Sequence, residues 1–152
     1  MKSAKSNEAV LRQELAALVV KDGVALGGLA EHQRHLALAL AACAVPPDSV
    51  LCEADVNLAL KDALAQSCRF LSVDHVELRR WLVDTGWVVR DGFGRAYLRT
   101  SHAALPEPLR PVAQALTGLA PAAWVEELRS SMQRDRQRRR LAWEARAAQG
   151  AA

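Results

Sequence analysis

The residues point to a mainly α-helical fold: a winged helix-turn-helix with a short β-hairpin as its wing and extra helices at both ends. Three observations carry that expectation. Alanine- and leucine-rich segments repeat apolar residues every three or four positions, which is helical spacing. Beyond Pro46-Pro47 the order reads short strand, helix, helix, hairpin. The stretch VELRRWLVDTGWVVRDGFGRAYLR, from Val76 to Arg99, passes from a helix through a glycine stop into a two-stranded ribbon with arginines at both ends of its turn.

The elements follow in order. Leu11, Leu15 and Leu18 form one apolar stripe on a helix over residues 7–20. Asp22-Gly23 and Gly27-Gly28 punctuate the chain. A second helix is expected over 29–43, with Leu36 and Leu40 on one side, and Pro46-Pro47 stops it because proline cannot continue the hydrogen-bond ladder. Val50-Leu51 reads as a short strand. A third helix over 53–64 places Val56, Leu60 and Leu64 together, with Asp55 in the first turn where a carboxylate suits the helix dipole.

Ser72 is a good N-cap for the next helix, over 73–85. Leu78, Leu82 and Val83 are its expected core residues. Gly86 fits the left-handed position after a helix end. Residues 87–90 and 95–99 then pair as strands around Asp91-Gly92-Phe93-Gly94. Pro106, Pro108 and Pro111 mark a linker or helix start, a short helix is expected over 109–116, and Pro121 suits the first turn of a last helix edged by Trp124, Leu128 and Met132. The expected division is an N-terminal helical extension (1–28), a winged-helix core (29–100), and a linker with C-terminal helices and an arginine-rich tail (101–152).

Composition narrows the function classes. The chain has 152 residues, 51% hydrophobic and 24% charged, a globular profile for one ordinary domain with appendages. No uninterrupted apolar run approaches the ~18 residues of a membrane span. Glu8, Arg12 and Glu14 break up what a secretion signal would need, so the expected compartment is the cytoplasm and no membrane partner is expected. Cys43, Cys52 and Cys68 form no CxxC pair and match no zinc spacing; they read as buried or half-buried structural thiols. His32 and His35, three apart on a helix, are a weak metal signal. No nucleophile triad, phosphate-cradling glycine loop or paired-carboxylate motif is present, so neither an enzyme nor a cofactor is expected.

The net charge is +3, and it is unevenly placed. Residues 1–121 hold 13 basic and 13 acidic groups, whereas residues 122–152 hold seven arginines against Glu126, Glu127, Asp135 and Glu144. The whole excess is in the tail.

Candidate DNA contacts fall in three groups. Arg79 and Arg80 lie on the expected recognition helix, where arginine would meet phosphate or a guanine edge; the alternative is structural pairing, with Arg80 and Asp84 four apart. Arg90, Arg95 and Arg99 flank the wing, either to meet phosphates or to protect edge strands by charge. Arg134, Arg136, Arg138, Arg139 and Arg140 form a basic run that reads as a phosphate tracker, a solvated helix or a protein contact.

CEADVNLAL (52–60), ELRRWLVDTGWVVRD (77–91) and GRAYLR (94–99) carry a more specific signal. They resemble the prokaryotic family known as domain of unknown function 2087. Glu53, Val56, Asn57, Leu78, Arg79, Arg80, Leu82, Val83, Asp84, Gly86, Arg90, Gly94 and Tyr97 stand at matching positions. Cys52 occupies the N-cap position where threonine would be expected. The family often accompanies transcriptional regulators, so the resemblance implies a regulator-like module and supplies no catalytic residue. The expected function is DNA binding in transcriptional control, through helix 73–85 and wing 87–99. The alternative is a non-enzymatic interaction module whose terminal helices build a homodimer or dock a protein partner.

Overall fold

The computed structural model describes residues 2–93 and 95–150, and side chains from residue 6 onward. Gly94, expected in the hairpin turn and at a family position, lies outside the described residues.

The first helix, α1 (Lys2–Val19), begins before its apolar stripe and buries Leu15, Leu18 and Val19. Helix α2 (Glu31–Ala42) is buried all round from Leu36 to Ala42, so it is the central element. It touches α1 on one side and the later helices on others. After Pro46-Pro47 comes β1 (Val50–Cys52), which runs directly into α3 (Glu53–Ala65). Cys52 holds the N-cap position of α3 without a side-chain cap bond. Val56, Leu60 and Ala63 turn α3 toward the core.

Helix α4 (His75–Thr85) starts later than expected, and its cap is Asp74 rather than Ser72. The Asp74 carboxylate accepts the Glu77 backbone N–H at 2.8 Å, which satisfies one of the free donors of the first turn. Leu78 and Leu82 are fully buried. Val83 is only partly so, because it lies at the rim of the packing. Gly86 ends the helix at φ +97°, a left-handed conformation that a side chain would strain. A Cβ there would also stand 3.0 Å from the Pro106 ring.

Strands β2 (Val88–Arg90) and β3 (Ala96–Arg99) form the hairpin, and β3 pairs antiparallel with both neighbours to give the order β1-β3-β2. Paired residues share a face, and successive residues alternate. Leu51, Tyr97 and Arg90 therefore lie in one row, facing α3 and α4, and Val50, Leu98 and Val89 in the opposite row.

Two 3-10 turns lead to α5 (Arg110–Ala115) and then to α6 (Pro121–Gly150). One hydrophobic cluster runs from Leu15 and Leu36 through Leu78 and Tyr97 to Leu109, Val112 and Val125. The segments before and after the central helices therefore join the same core. From Gln133 to Gly150 every residue of α6 is exposed, a projection of about 27 Å at 1.5 Å per residue. No helix among the described residues is long and apolar enough to cross a membrane.

Candidate functional site

Much of the arginine content serves the fold. Arg12 of α1 donates to the carbonyls of Ala115 (2.6 Å) and Thr117 (3.1 Å), at the end of α5. Arg34 donates to Leu26 and Leu29 carbonyls and stacks over the Trp81 ring at 4.7 Å. Arg129 of α6 donates to the carbonyls of Val19 and Lys21, both at 2.9 Å, and pairs with Asp22 at 2.5 Å. Helix C-termini leave carbonyls without partners, and Arg12 and Arg129 cover those at the ends of α5 and α1 from distant elements. The Arg129 hydrogen bond holds the Asp22 carboxyl below its ordinary value.

Among the wing arginines, Arg99 does the same. Its Nη1 donates to the Val45 carbonyl at 3.2 Å, which turns it inward beside the end of α2. Burial raises the neighbouring Cys43 thiol, with Arg99 opposing the shift. Arg99 is half-buried and does not line the cleft between α4 and the hairpin.

The pair on α4 divides. Arg79 is largely buried. It donates to Asn57 Oδ1, lies 3.1 Å from a Glu53 carboxylate oxygen and sits over the Tyr97 ring at 5.7 Å. It ties α4 to α3 and to β3. Arg80 is exposed and, among the described residues, makes no ion pair; the expected Arg80–Asp84 pair is not formed. Helical geometry accounts for the difference: adjacent residues point about 100° apart, so only one of the two can face α3.

Arg80 and Arg90 meet at a cleft of about 240 Å³ between α4 and the hairpin, lined also by Val76, Arg79, Val83, Asp84 and Tyr97. The sheet register places Arg90 there, opposite Tyr97 and on the same face. Arg90 is exposed and carries no ion pair among the described residues. Arg95 is exposed beside the turn, and its backbone N–H donates to Asp91 Oδ1 at 2.8 Å. The cleft thus presents two uncompensated guanidinium groups with one carboxylate, Asp84, beside them. Such a site attracts an anion with planar or tetrahedral oxygens. A larger hollow of about 420 Å³, between the end of α2, α3 and the start of α6, is lined mostly by small and apolar groups with Asp55 and Asp62.

In the tail, ion pairing sorts the basic run. Arg134 pairs with Glu127, Arg138 with Asp135 and Arg140 with Glu144. Arg136 and Arg139 have no such pair among the described residues, nor does Arg146, which the basic run read from the sequence left out. The missed signal was the position of each carboxylate relative to each arginine. His32 meets Glu14 and His35 lies 3.8 Å from Glu31, and no group of three or more potential metal ligands occurs among the described residues. Cys68 is buried, Cys43 half-buried and Cys52 exposed, so the expectation of burial fails at Cys52, whose side chain projects from the outer row of β1.

The molecule is therefore a helical protein with a small antiparallel sheet and a basic cleft where the two meet. Residues 30–99 match the family described as uncharacterized protein conserved in bacteria (DUF2087). That span covers α2 to β3 and contains the whole cleft. No curated protein and no solved structure matches the chain.

Proposed function

We propose that the chain is a winged-helix DNA-binding module acting in transcriptional control. It lays α4 and the β2–β3 hairpin on duplex DNA, with Arg80, Arg90 and Arg95 as the contacts. The order helix, strand, helix, helix, hairpin, with the first strand added to the hairpin, supports the winged-helix reading. The observation that carries the functional reading is the division of labour at the cleft. Arg79 consumes the nearby acceptors, Glu53 and Asn57, and leaves Arg80 and Arg90 uncompensated on a helix and a hairpin respectively. Guanidinium groups placed this way suit phosphate oxygens or a guanine edge. Selection from a randomised duplex library, followed by sequencing, tests the proposal: a recurrent sequence supports it, and a pool that stays random opposes it.

The outer row of the sheet favours a second reading. Val50 (72% exposed), Leu98 (39%) and Val89 (54%) stand side by side across all three strands. An apolar row without cover is suited to a protein contact, including one between two copies of the chain. Such a contact would allow DNA half-sites to be read in pairs. Sedimentation of wild type against Val89→Asp separates the cases.

A further inference from the structure

We propose that the projecting part of α6 is a binding site for single-stranded nucleic acid, formed by Arg136, Arg139, Trp143 and Arg146. It is a site separate from the cleft on α4 and does not rest on the reading of that cleft.

The argument begins with pairing. Every carboxylate on the projection is engaged: Asp135 by Arg138 and Glu144 by Arg140. Glu127 takes Arg134 from the turn before. The three arginines left over are not scattered. At about 100° per residue, Arg136, Arg139, Trp143 and Arg146 fall within an arc of about 80° and span about 15 Å of helix. The paired arginines and their carboxylates lie outside that arc.

The same arc, followed back toward the body, holds Val125, Leu128 and Met132. Val125 is buried in the core and Leu128 packs against it beside Trp124, just outside the arc, while Met132 is half-buried at the edge of the body. The packing face thus continues past the edge of the body, but its character changes from apolar to cationic with one large ring. Trp143 is 66% exposed, a costly placement for an indole that has nothing to cover.

The chemistry selects the occupant. Three guanidinium groups in a line, none within ion-pair distance of a carboxylate although Arg136 also acts on Asp22 from farther away, call for a polyanion with repeated charge. The indole between them calls for an aromatic face. Single-stranded nucleic acid supplies both, phosphates along the backbone and unstacked bases to lie on the ring. A duplex keeps its bases stacked inside and leaves Trp143 without a partner. A second copy of the stripe is disfavoured, because it would bring two sets of like charges together.

The test uses the full chain and a labelled oligothymidylate of about 15 nucleotides. The triple variant Arg136→Gln, Arg139→Gln, Arg146→Gln should flatten the slope of log K against log salt by about 2, at roughly 0.7 per phosphate contact. Trp143→Ala should weaken binding by about five- to 150-fold, the range of one lost base stack. The triple Arg134→Gln, Arg138→Gln, Arg140→Gln removes the same formal charge and should change affinity far less. Of the four tryptophans, Trp143 should account for the emission quenched by the oligomer, so Trp143→Phe should abolish that change. All these positions are exposed, and circular dichroism of each variant is the check that it keeps its fold. Equal losses in the two triples, quenching that survives Trp143→Phe, or a duplex preferred over the single strand would each overturn the proposal.

Discussion

The Arg79 guanidinium lies 3.1 Å from the Glu53 carboxylate, so α4, the helix of the cleft, is tied to the first turn of α3. The same guanidinium reaches Asn57 and overlies Tyr97. One residue thereby sets the distance between α3, α4 and β3, and its neighbour Arg80 is left to face outward.

Removing that tie should destabilise the fold without involving any ligand. Arg79→Ala should cost about 1–2 kcal/mol, the range of a charged hydrogen bond discounted for the half-exposed Glu53. Arg80→Ala should stay within about 0.5 kcal/mol. Urea unfolding midpoints of the two variants decide this, and equal midpoints would mean that Arg79 is no tie.

The core makes a sharper contrast. Leu82 is fully buried, so Leu82→Ala should cost about 2–5 kcal/mol through lost burial and the cavity left behind. Leu141, 56% exposed on the projection, should tolerate alanine within about 0.5 kcal/mol. Thermal melts would show one large shift and one negligible one.

Three thiols should react in the order of their burial. Cys52 is exposed and should be alkylated first, Cys43 later and Cys68 last. Burial pushes the Cys68 thiol up from 9.0 to about 12. The folded state then keeps a proton that the unfolded chain loses, so stability should fall as pH rises from about 9 toward about 12. Mass spectrometry after timed iodoacetamide treatment reads the order, and early modification of Cys68 in folded protein would contradict it.

Asp22 has the opposite sign. Its hydrogen bond from Arg129 lowers the carboxyl from 3.8, so the folded state favours the ionised form. The contribution is present above 3.8 and is lost as pH falls through the lowered folded value. The melting difference between wild type and Asp22→Asn should therefore shrink in acid. A difference that is constant down to strongly acidic pH would show that the pair does not act through ionisation.

The sequence made the helices and hairpin legible where local chemistry decides. Gly86 marks the end of α4 because only glycine takes that backbone angle without strain. Pro46-Pro47 and Pro121 mark boundaries because proline lacks a donor. The start of α1 was not legible, since Ser3 to Asn7 carry no apolar stripe to announce a helix. The cap of α4 was misplaced because Ser72 and Asp74 are both competent and only the backbone path chooses between them. Position on helix and hairpin was enough to read Arg80 and Arg90 as outward residues, and both line the same cleft. The inward turns of Arg79 and Arg99 were hidden because their partners, Glu53, Asn57 and Val45, come from other elements. Arg146 was hidden for a different reason: its significance depends on which carboxylates are already taken.

The most direct measurement is fluorescence anisotropy of the full chain on duplex DNA over a salt series, for wild type and Arg80→Gln/Arg90→Gln. If these two residues meet phosphates, the double variant should bind more weakly and flatten the slope of log K against log salt by about 1.8, at roughly 0.9 per contact. An unchanged affinity and slope in a variant that keeps its fold would contradict the assignment of the α4 cleft to DNA.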